Sequence, residues 1–404
     1  MLKIKKLKLS NFRGIDHLTL DFQEQINIII GDNGSGKSAI LDCLAIMLFP
    51  LLQKLYGEIE TKSFFTEQDI TNGKTETHNV ISVYSDDLCK EVEWHLTKNR
   101  EGEATTNSEI PEIETENPSL IIHYPVNRAV FDIPVNIRIE DVFNKDAAYD
   151  QVFRGKFTDF KLFFKWFRYC EDIENEIRVD DHKHRDRQLE AVRKATERLL
   201  PGFTELRVRR SPLRMTVRKD DEELIVDQLS DGEKCLLALV GDLAWRLAVL
   251  NDKKSDPLEG SAVVLIDEVD LHLHPAWQRE IVPALTRTFP NCQFVLTTHS
   301  PQILSHVRPE NIFGLKRGMN NRIEMFQPEA AYGLDSNRIL EDMMGVPERP
   351  RLIKEELSKL FLSINEGKLD EAKKKMTDLM QNIGYDPELV KAETIIRRKE
   401  IIGR

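Results

Sequence analysis

From the N-terminus, apolar and polar positions alternate with a period of two. Residues 2–9 alternate, Asn11-Phe12-Arg13-Gly14 has the composition of a turn, and residues 18–22 alternate again, predicting two strands. Ile26-Asn27-Ile28-Ile29-Ile30 is a short apolar run ending at Gly31, which predicts a strand covered on both faces. Over residues 38–55 the spacing becomes helical, with Ile40, Leu41, Leu44 and Leu48 recurring on one side. Residues 80–123 alternate short strand-like runs with polar turns, and residues 99–117, rich in Glu, Thr and Gly, predict a mobile surface loop. Residues 157–200 read as helical throughout, stopped by Pro201-Gly202. Strand-like runs return over 206–217, and a long helix is predicted over 231–250. Residues 263–266 and 294–297 predict buried strands separated by a helix over 275–288. From Arg349 the chain is charged and helical, with a further helix after Pro387. Leu357, Leu360, Phe361 and Ile364, then Leu369, Ala372 and Met376, recur at helical spacing and must pack on something. The candidates are the rest of the chain, a hairpin closed at Ile364-Asn365-Glu366-Gly367, or another protein.

Composition narrows the class. With 404 residues, 41% of them hydrophobic and 31% charged, the chain has enough apolar mass for a large core and a charged surface. No apolar run approaches the length of a membrane span; the best candidate, residues 235–250, is interrupted by Asp242 and Arg246. The N-terminus alternates like a strand, with no apolar signal core behind it. Five cysteines are scattered without a CxxC pair, which fits a reducing cytoplasm, the expected location. A net charge of −11 excludes a surface basic throughout, but not a local nucleic-acid groove.

The chemistry concentrates in a few stretches. Gly31-Asp32-Asn33-Gly34-Ser35-Gly36-Lys37-Ser38, with Ala39 following, matches GxxxxGK[ST] between a strand and a helix. Its glycines let backbone N–H groups surround nucleotide phosphates at the positive end of the helix. Lys37 is expected to neutralise the β- and γ-phosphates, and the Ser38 hydroxyl to ligate Mg²⁺. Val263-Val264-Leu265-Ile266-Asp267-Glu268 is an apolar strand ending in two carboxylates, suiting Asp267 to hold Mg²⁺ through water and Glu268 to act as general base. Leu229-Ser230-Asp231-Gly232-Glu233-Lys234 reads locally as a capping box, Ser230 answered by Glu233 three residues later. His299 follows the 294–297 strand in Thr297-Thr298-His299-Ser300. His272 and His274 sit close together, but without an apparent third ligand they do not make a metal site.

Together Phe12-Arg13-Gly14, the phosphate loop, LSDGE, LIDEVDLHLHP and TTHSPQIL resemble the ABC-type ATPases of the RecF, SMC and OLD branch, over residues 1–315. LSDGE resembles the LSGGE/Q signature of that class. The resemblance implies an α/β fold: an ABC-ATPase head with a mixed sheet, a P-loop core and an antiparallel β lobe, a short helical insertion at about 157–200, and a helical C-terminal tail. It implies a head over residues 1–348 and an assembly or partner-binding tail over 349–404. Ser230, Gly232 and Glu233 would meet the γ-phosphate of ATP held by the opposite subunit of a homodimer, and Asp270 would sit in the loop crossing that interface. His299 would contact the γ-phosphate, Arg13 the nucleotide, and Gln68 or Asp69, with Gln68 favoured, the Mg²⁺. Residues 157–200 are too short for an SMC-type coiled coil. The tail carries no DxD cluster, so no nuclease activity of its own is expected.

Ala331-Tyr332-Gly333-Leu334-Asp335-Ser336-Asn337, Gly345-Val346-Pro347-Glu348-Arg349-Pro350 and Asp386-Pro387-Glu388-Leu389-Val390 are similar to the Septu antiphage ATPase family (PtuA), with relatives in other defence contexts such as retrons. That likeness implies a slow ATPase subunit using ATP and Mg²⁺. It implies a higher homo-oligomer, a separate HNH nuclease subunit (PtuB-like) as partner, nucleic acid reached through the complex, and no membrane. The alternative is a RecF-like DNA-binding repair ATPase.

Overall fold

The computed structural model describes residues 1–56, 64–102, 104–106, 110, 119–128, 143, 145, 147–149, 160–318 and 322–402. The chain divides into two compact units, Met1–Ser336 and Asn337–Arg404.

In chain order the first unit runs β1 (Leu2–Phe12), β2 (Ile15–Asp21), β3 (Ile26–Gly31), α1 (Lys37–Tyr56), β4 (Glu76–Ser85), β5 (Lys90–Asn99), β6 (Ala104–Thr106) and β7 (Leu120–Tyr124). It continues with α2 (Lys161–Asp180), α3 (Arg187–Leu199), β8 (Phe203–Arg210), β9 (Leu213–Lys219), β10 (Glu222–Ile225) and α4 (Asp231–Leu250). Then come β11 (Ala262–Ile266), α5 (Pro275–Thr288), β12 (Cys292–Thr297), α6 (Pro301–Leu304), β13 (Ile312–Arg317) and β14 (Ile323–Phe326), before α7 (Ser336–Asp342) at the unit boundary.

A six-stranded sheet, ordered β14-β13-β3-β12-β11-β7, forms the centre, with β14 antiparallel to β13 and the other pairs parallel. Every residue of β7, β11 and β12 is buried, as is β3 up to Ile30, which is why these segments read as continuous apolar runs. A second, antiparallel sheet is ordered β2-β1-β4-β5-β6, and a third β10-β9-β8. One fully buried glutamine ties the first two sheets together. Gln293 of β12 accepts from the Ile4 N–H (2.7 Å) and donates to the Ile4 carbonyl (2.9 Å), beside a register shift in β1. The Trp94 indole of β5 donates to the Met47 carbonyl (2.8 Å), fixing the antiparallel sheet to α1.

Three expectations need correction. Residues 157–200 do not form one helix: α2 ends at Asp180 and α3 begins at Arg187, residues 157–159 lying outside the described set. The polar run between them offers no apolar position to extend a buried face. Asp186 caps α3 by accepting from the Leu189 N–H (2.8 Å), while its own N–H is taken by Glu174 (2.8 Å). Within 99–117, Ala104–Thr106 is a strand paired with β5 rather than loop, and most of the remainder lies outside the described residues. Finally, residues Lys37–Leu55 are long and apolar enough to cross a membrane by length and composition, with mean hydropathy 1.6. The window is 61% buried within the protein and starts at the phosphate-loop lysine, as befits a core helix. The other candidate run, in α4, is buried from Cys235 to Leu250. Its Asp242 and Arg246 pair at 2.9 Å and are further bonded by Tyr124, Trp245 and the Ala148 carbonyl, so both charges are compensated inside the core.

The second unit comprises α8 (Arg351–Asn365), α9 (Leu369–Ile383) and α10 (Pro387–Ile402) with all of α7 beyond Ser336. Its core is Leu357, Leu360 and Ile364 of α8, Ala372 and Leu379 of α9, and Leu389, Ala392 and Ile396 of α10. The stripe therefore packs within its own three helices, with Phe361 and Met376 at the margin of that core. The hairpin expected at Ile364–Gly367 is present, Gly367 adopting φ +77°.

Candidate functional site

Parallel register brings the sequence motifs to one edge of the central sheet. Thr297 of β12 lies opposite Ile29 of β3, and Ile266 of β11 opposite Leu296 of β12. The segments leaving the carboxyl ends of β3, β11 and β12 are thus neighbours, the place where open α/β sheets bind ligands. They are Gly31–Ser38, Asp267-Glu268 and Thr298-His299.

In the phosphate loop Gly31, Gly34 and Gly36 adopt φ +150°, +76° and +97°. A Cβ at Gly31 would stand 2.4 Å from the Leu315 carbonyl and 2.6 Å from Ser35 Oγ, so no side chain fits there. The Ser35 hydroxyl is buried without a hydrogen-bond partner. Lys37 Nζ donates to the Gly31 and Asp32 carbonyls (2.8 and 3.0 Å), and Arg317 reaches from β13 to the Gly34 carbonyl (2.8 Å). Burial lowers the Lys37 pKa, opposed by the carboxylates of Asp267, Glu268, Asp32 and Asp270. Lysine and both strand-end acids therefore share one electrostatic neighbourhood. Asn33, Gly34 and Ser38 are exposed and Ala39 half-buried at the start of α1. Turned glycine backbone, an orphaned buried hydroxyl, a lysine and a 20-residue helix starting there together fit a polyphosphate. The exposed Ser38 hydroxyl and the Asp267 carboxylate are oxygen donors of the kind Mg²⁺ takes.

Asp267 is 5% exposed and accepts from Thr297 Oγ1, whose oxygen in turn accepts from the Glu268 N–H (2.7 Å). Glu268 adopts φ +48°, a left-handed kink that directs it away from its strand. Two residues that sequence reasoning did not single out hold this kink. One is Thr297. The other is Arg128, 2% exposed, whose guanidinium donates to the Asp267 and Glu268 carbonyls (both 2.5 Å) and to the Pro125 carbonyl (3.1 Å). The Arg128 carbonyl accepts from the Cys235 thiol of α4 (3.6 Å). An arginine just beyond a buried strand, in Tyr124-Pro125-Val126-Asn127-Arg128, was the available signal.

Ser230 caps α4 through the capping box read from the sequence: Glu233 accepts from the Ser230 N–H and hydroxyl (2.9 Å each). Despite partial burial, Lys219, at 2.5 Å, and Ser230 hold the Glu233 pKa below the usual carboxylate range. Gly232 packs on the loop after β11, where a Cβ would stand 2.1 Å from the His272 carbonyl. In the same loop Asp270 accepts from Thr298 Oγ1 (2.5 Å), and His274 caps α5 through the Ala276 N–H (3.3 Å). No hydrogen bond or ion pair among the described residues joins Ser230–Glu233 to the phosphate loop of the same chain. His299 is half-buried beside Asp270's partner Thr298. No group of three or more His, Cys, Asp or Glu side chains among the described residues is arranged as a metal cluster.

Arg13, at φ +43° in the turn between β1 and β2, donates to Asp69 (2.6 Å) and pairs with Asp42 of α1. Burial works against its charge, but Asp42 and Asp69 raise its pKa overall. Asp69, 3% exposed, also accepts from the Thr66 N–H (2.7 Å) and hydroxyl (3.0 Å). Both its oxygens are engaged, whereas the neighbouring Gln68 side chain is exposed.

The family described as "AAA domain, putative AbiEii toxin, Type IV TA system" matches residues 26–305, more than half of the chain. "Retron Ec83 probable ATPase" of Escherichia coli is 31% identical, the match covering 96% of this chain and 85% of that protein. "Retron Vc95 probable ATPase" of Vibrio cholerae serotype O1 biovar El Tor is 28% identical over 89% of this chain and 82% of its own length. "Septu protein PtuA" of Bacillus thuringiensis is 26% identical over 94% of each. The chain belongs to this family and is an ATP-binding P-loop ATPase of the ABC type.

Proposed function

We propose that this ATPase is a subunit of a cytoplasmic antiphage defence complex, that two copies close ATP into composite sites, and that the ATP state regulates a separate HNH nuclease subunit. The observation that carries the reading is the convergence of Gly31–Ser38, Asp267, Glu268 and the His299 turn at one sheet edge, while Ser230 and Gly232 cap a helix that makes no bond to that loop. A signature helix end that no hydrogen bond or ion pair among the described residues ties to its own phosphate loop is suited to a phosphate held by a second copy.

In this mechanism the backbone N–H groups of Asn33–Ser38 and Lys37 hold the phosphates, and Ala39 continues the helix that points at them. Ser38, Asp267 and Gln68 would hold Mg²⁺, whose charge would offset that of the β- and γ-phosphates. Glu268, aimed by its kinked backbone, takes a proton from the attacking water. His299 and, from the second copy, the Ser230 hydroxyl and the backbone N–H groups of Gly232 and Glu233 donate to the γ-phosphate, while Asp270 lies in the loop crossing between copies. Arg13 contacts the nucleotide. The chain carries no nuclease chemistry of its own and turns over slowly.

Support for the defence role comes from Septu PtuA and the two retron ATPases, matched over most of their lengths. Both retron relatives are more identical than the Septu protein of Bacillus thuringiensis (31% and 28% against 26%), which favours a retron-associated complex as a second reading. Mixing Ser230→Arg chains with Lys37→Ala chains tests the composite site. Each variant alone is expected to be inactive, and the heterodimer to regain about one site's turnover. Mixed dimers without recovered ATPase activity would refute this arrangement.

A further inference from the structure

The chain is acidic overall, at −11, yet residues 203–219 carry Arg207, Arg209, Arg210, Arg214, Arg218 and Lys219 against the single acid Glu205. Register gathers four of these cations. Arg209 lies opposite Arg214 and Arg207 opposite Thr216, so strand alternation puts Arg207, Arg209, Arg214 and Arg218 on one face of the three-stranded sheet. The other face, with Val208, Met215 and Val217, is buried.

Two carboxylates serve that arginine face. Glu205 pairs with Arg207 and, at 3.7 Å, with Arg218; Glu223 takes Arg209 (2.7 Å). Arg214 makes no ion pair among the described residues, and the Nε atoms of Arg214 and Arg218 are buried without hydrogen-bond partners. Arg214 thus keeps a guanidinium charge that no carboxylate among the described residues neutralises.

The face continues into a cleft of about 640 Å³ between α2, α3 and β8. There the nearly inaccessible carboxylates of Glu171 and Glu174 clamp Arg193 at 3.5 and 3.0 Å, with Glu190 on a third side at 2.9 Å. Burial raises the Glu171 pKa against the pull of Val208 and Arg210. Glu171 also accepts from the Val208 N–H (2.8 Å), closing the free edge of β8 to another strand. Glu171, Glu174 and Glu190 are thus spent on fixed struts, and Glu197 is the one further acid of the α2–α3 wall. Arg178, Arg185 and Lys194, which also line the cleft, make no ion pairs among the described residues.

We propose that this arginine face and cleft bind the phosphodiester backbone of a nucleic acid. A small anion would satisfy one or two guanidiniums, whereas Arg214 and Arg218 alone lie about 13 Å apart along their strand, at roughly 3.3 Å per residue. A repeating phosphate chain supplies an acceptor to each, and guanidinium forks match phosphate geometry. The four-arginine face carries no aromatic side chain on which a base would stack, so binding follows the backbone and ignores sequence. The surface lies outside the ATP motifs, and this inference stands independently of the ATP mechanism.

The test is fluorescence anisotropy on the full chain with labelled oligonucleotides of mixed sequence: single-stranded DNA, single-stranded RNA and duplex DNA, titrated across salt. Binding of any of the three, steeply weakened by salt, is expected, and the tightest identifies the nucleic acid. Arg214→Ala with Arg218→Ala should flatten the log K against log salt slope by about one to two. Arg178→Ala, Arg185→Ala and Lys194→Ala together test the cleft in the same way. ATP binding and melting temperature should stay at wild-type values in both variants. No binding at low salt, wild-type slopes in both folded variants, or a preference for inorganic tripolyphosphate over all three oligonucleotides would overturn the proposal.

Discussion

Arg128→Lys isolates the part of the site that holds its acids in position. The guanidinium donates to two successive carbonyls, those of Asp267 and Glu268, and so bridges the left-handed kink at Glu268. A lysine keeps the charge but gathers its donors on one nitrogen, which cannot occupy the Nη1 and Nη2 positions together and so leaves at least one of the three carbonyls short. The loss is then about one hydrogen bond from a charged donor, on the order of 1.5–3 kcal/mol of stability. The kink itself stores roughly 1–3 kcal/mol of backbone strain, which the bridge must offset. Released from one side, the turn relaxes and carries the Glu268 carboxylate with it. A displacement of about 1 Å costs on the order of 100-fold in rate. Lys37 and the phosphate-loop glycines make no bond to Arg128, so ATP affinity should hold. The expected pattern is a lower melting temperature and a 10- to 100-fold fall in kcat, with KM within about twofold of wild type. Phosphate-release kinetics, a fluorescent-ATP titration and a thermal melt read the three quantities. Wild-type kcat in a variant whose melting temperature has fallen would show that the bridge supports folding and does not position Glu268.

Glu268→Gln should bind ATP but lose most turnover, whereas Lys37→Ala should lose binding itself; equal turnover in Glu268→Gln and wild type would remove Glu268 from the base role. Gly232→Ala would ordinarily gain up to about 1 kcal/mol as a helix substitution, but its Cβ would meet the His272 carbonyl at 2.1 Å. The expected sign is therefore reversed, a loss of about 1–3 kcal/mol by denaturant unfolding, and a stabilised variant would contradict the close packing. Four cysteines are buried, with thiol pKa values raised by burial, that of Cys292 to about 12, while Cys89 is exposed. Iodoacetamide at pH 8 should label Cys89 alone in the native protein and all five after denaturation; native labelling of Cys43 would contradict its buried setting.

What was legible in the sequence follows from how local each determinant is. The helices Asp231–Leu250 and Pro275–Thr288 match their expected bounds, because each opens on a local cap, Ser230 in one and His274 before Pro275 in the other. The strands leading to the phosphate loop and to Asp267 were readable because burial on both faces leaves continuous apolar runs. The break between α2 and α3 was missed because apolar spacing resumes after a short polar turn, and Glu174, which holds that turn, reads as one more surface charge. Arg128 and Thr297 were missed for a different reason. Their importance lies in backbone atoms that they reach across the fold, Thr297 with its hydroxyl on the Glu268 N–H and Arg128 on two carbonyls, and no residue spacing encodes such contacts. The bonds that Asp69 accepts from Thr66 and Arg13 were likewise illegible, since Arg13 arrives from a turn 56 residues earlier.

The C-terminal unit changes what its apolar stripe can be used to argue. On the sequence alone, Leu357, Leu360 and Ile364 were as compatible with a partner surface as with internal packing. In the structure they face Ala372, Leu379, Leu389, Ala392 and Ile396, and burying these side chains accounts for the periodicity without a second protein. Arg349 adds a polar closure, reaching Asp386 at 2.9 Å from the far end of the bundle's sequence. A residue already committed to an internal core cannot also supply an interface, so any assembly role must rest on what that core leaves outside. The exposed large apolar side chains of this unit, among the described residues, are Val346 before α8, Leu352 and Leu362 on α8, Met380 on α9, Tyr385 before α10 and Ile401 near its end. They are scattered over separate elements and form no periodic stripe of their own. Substituting the buried stripe would unfold the bundle and report nothing about partners. Polar replacements at Leu352, Leu362 and Tyr385 leave the core intact, and they are where a loss of assembly could be read as a loss of contact.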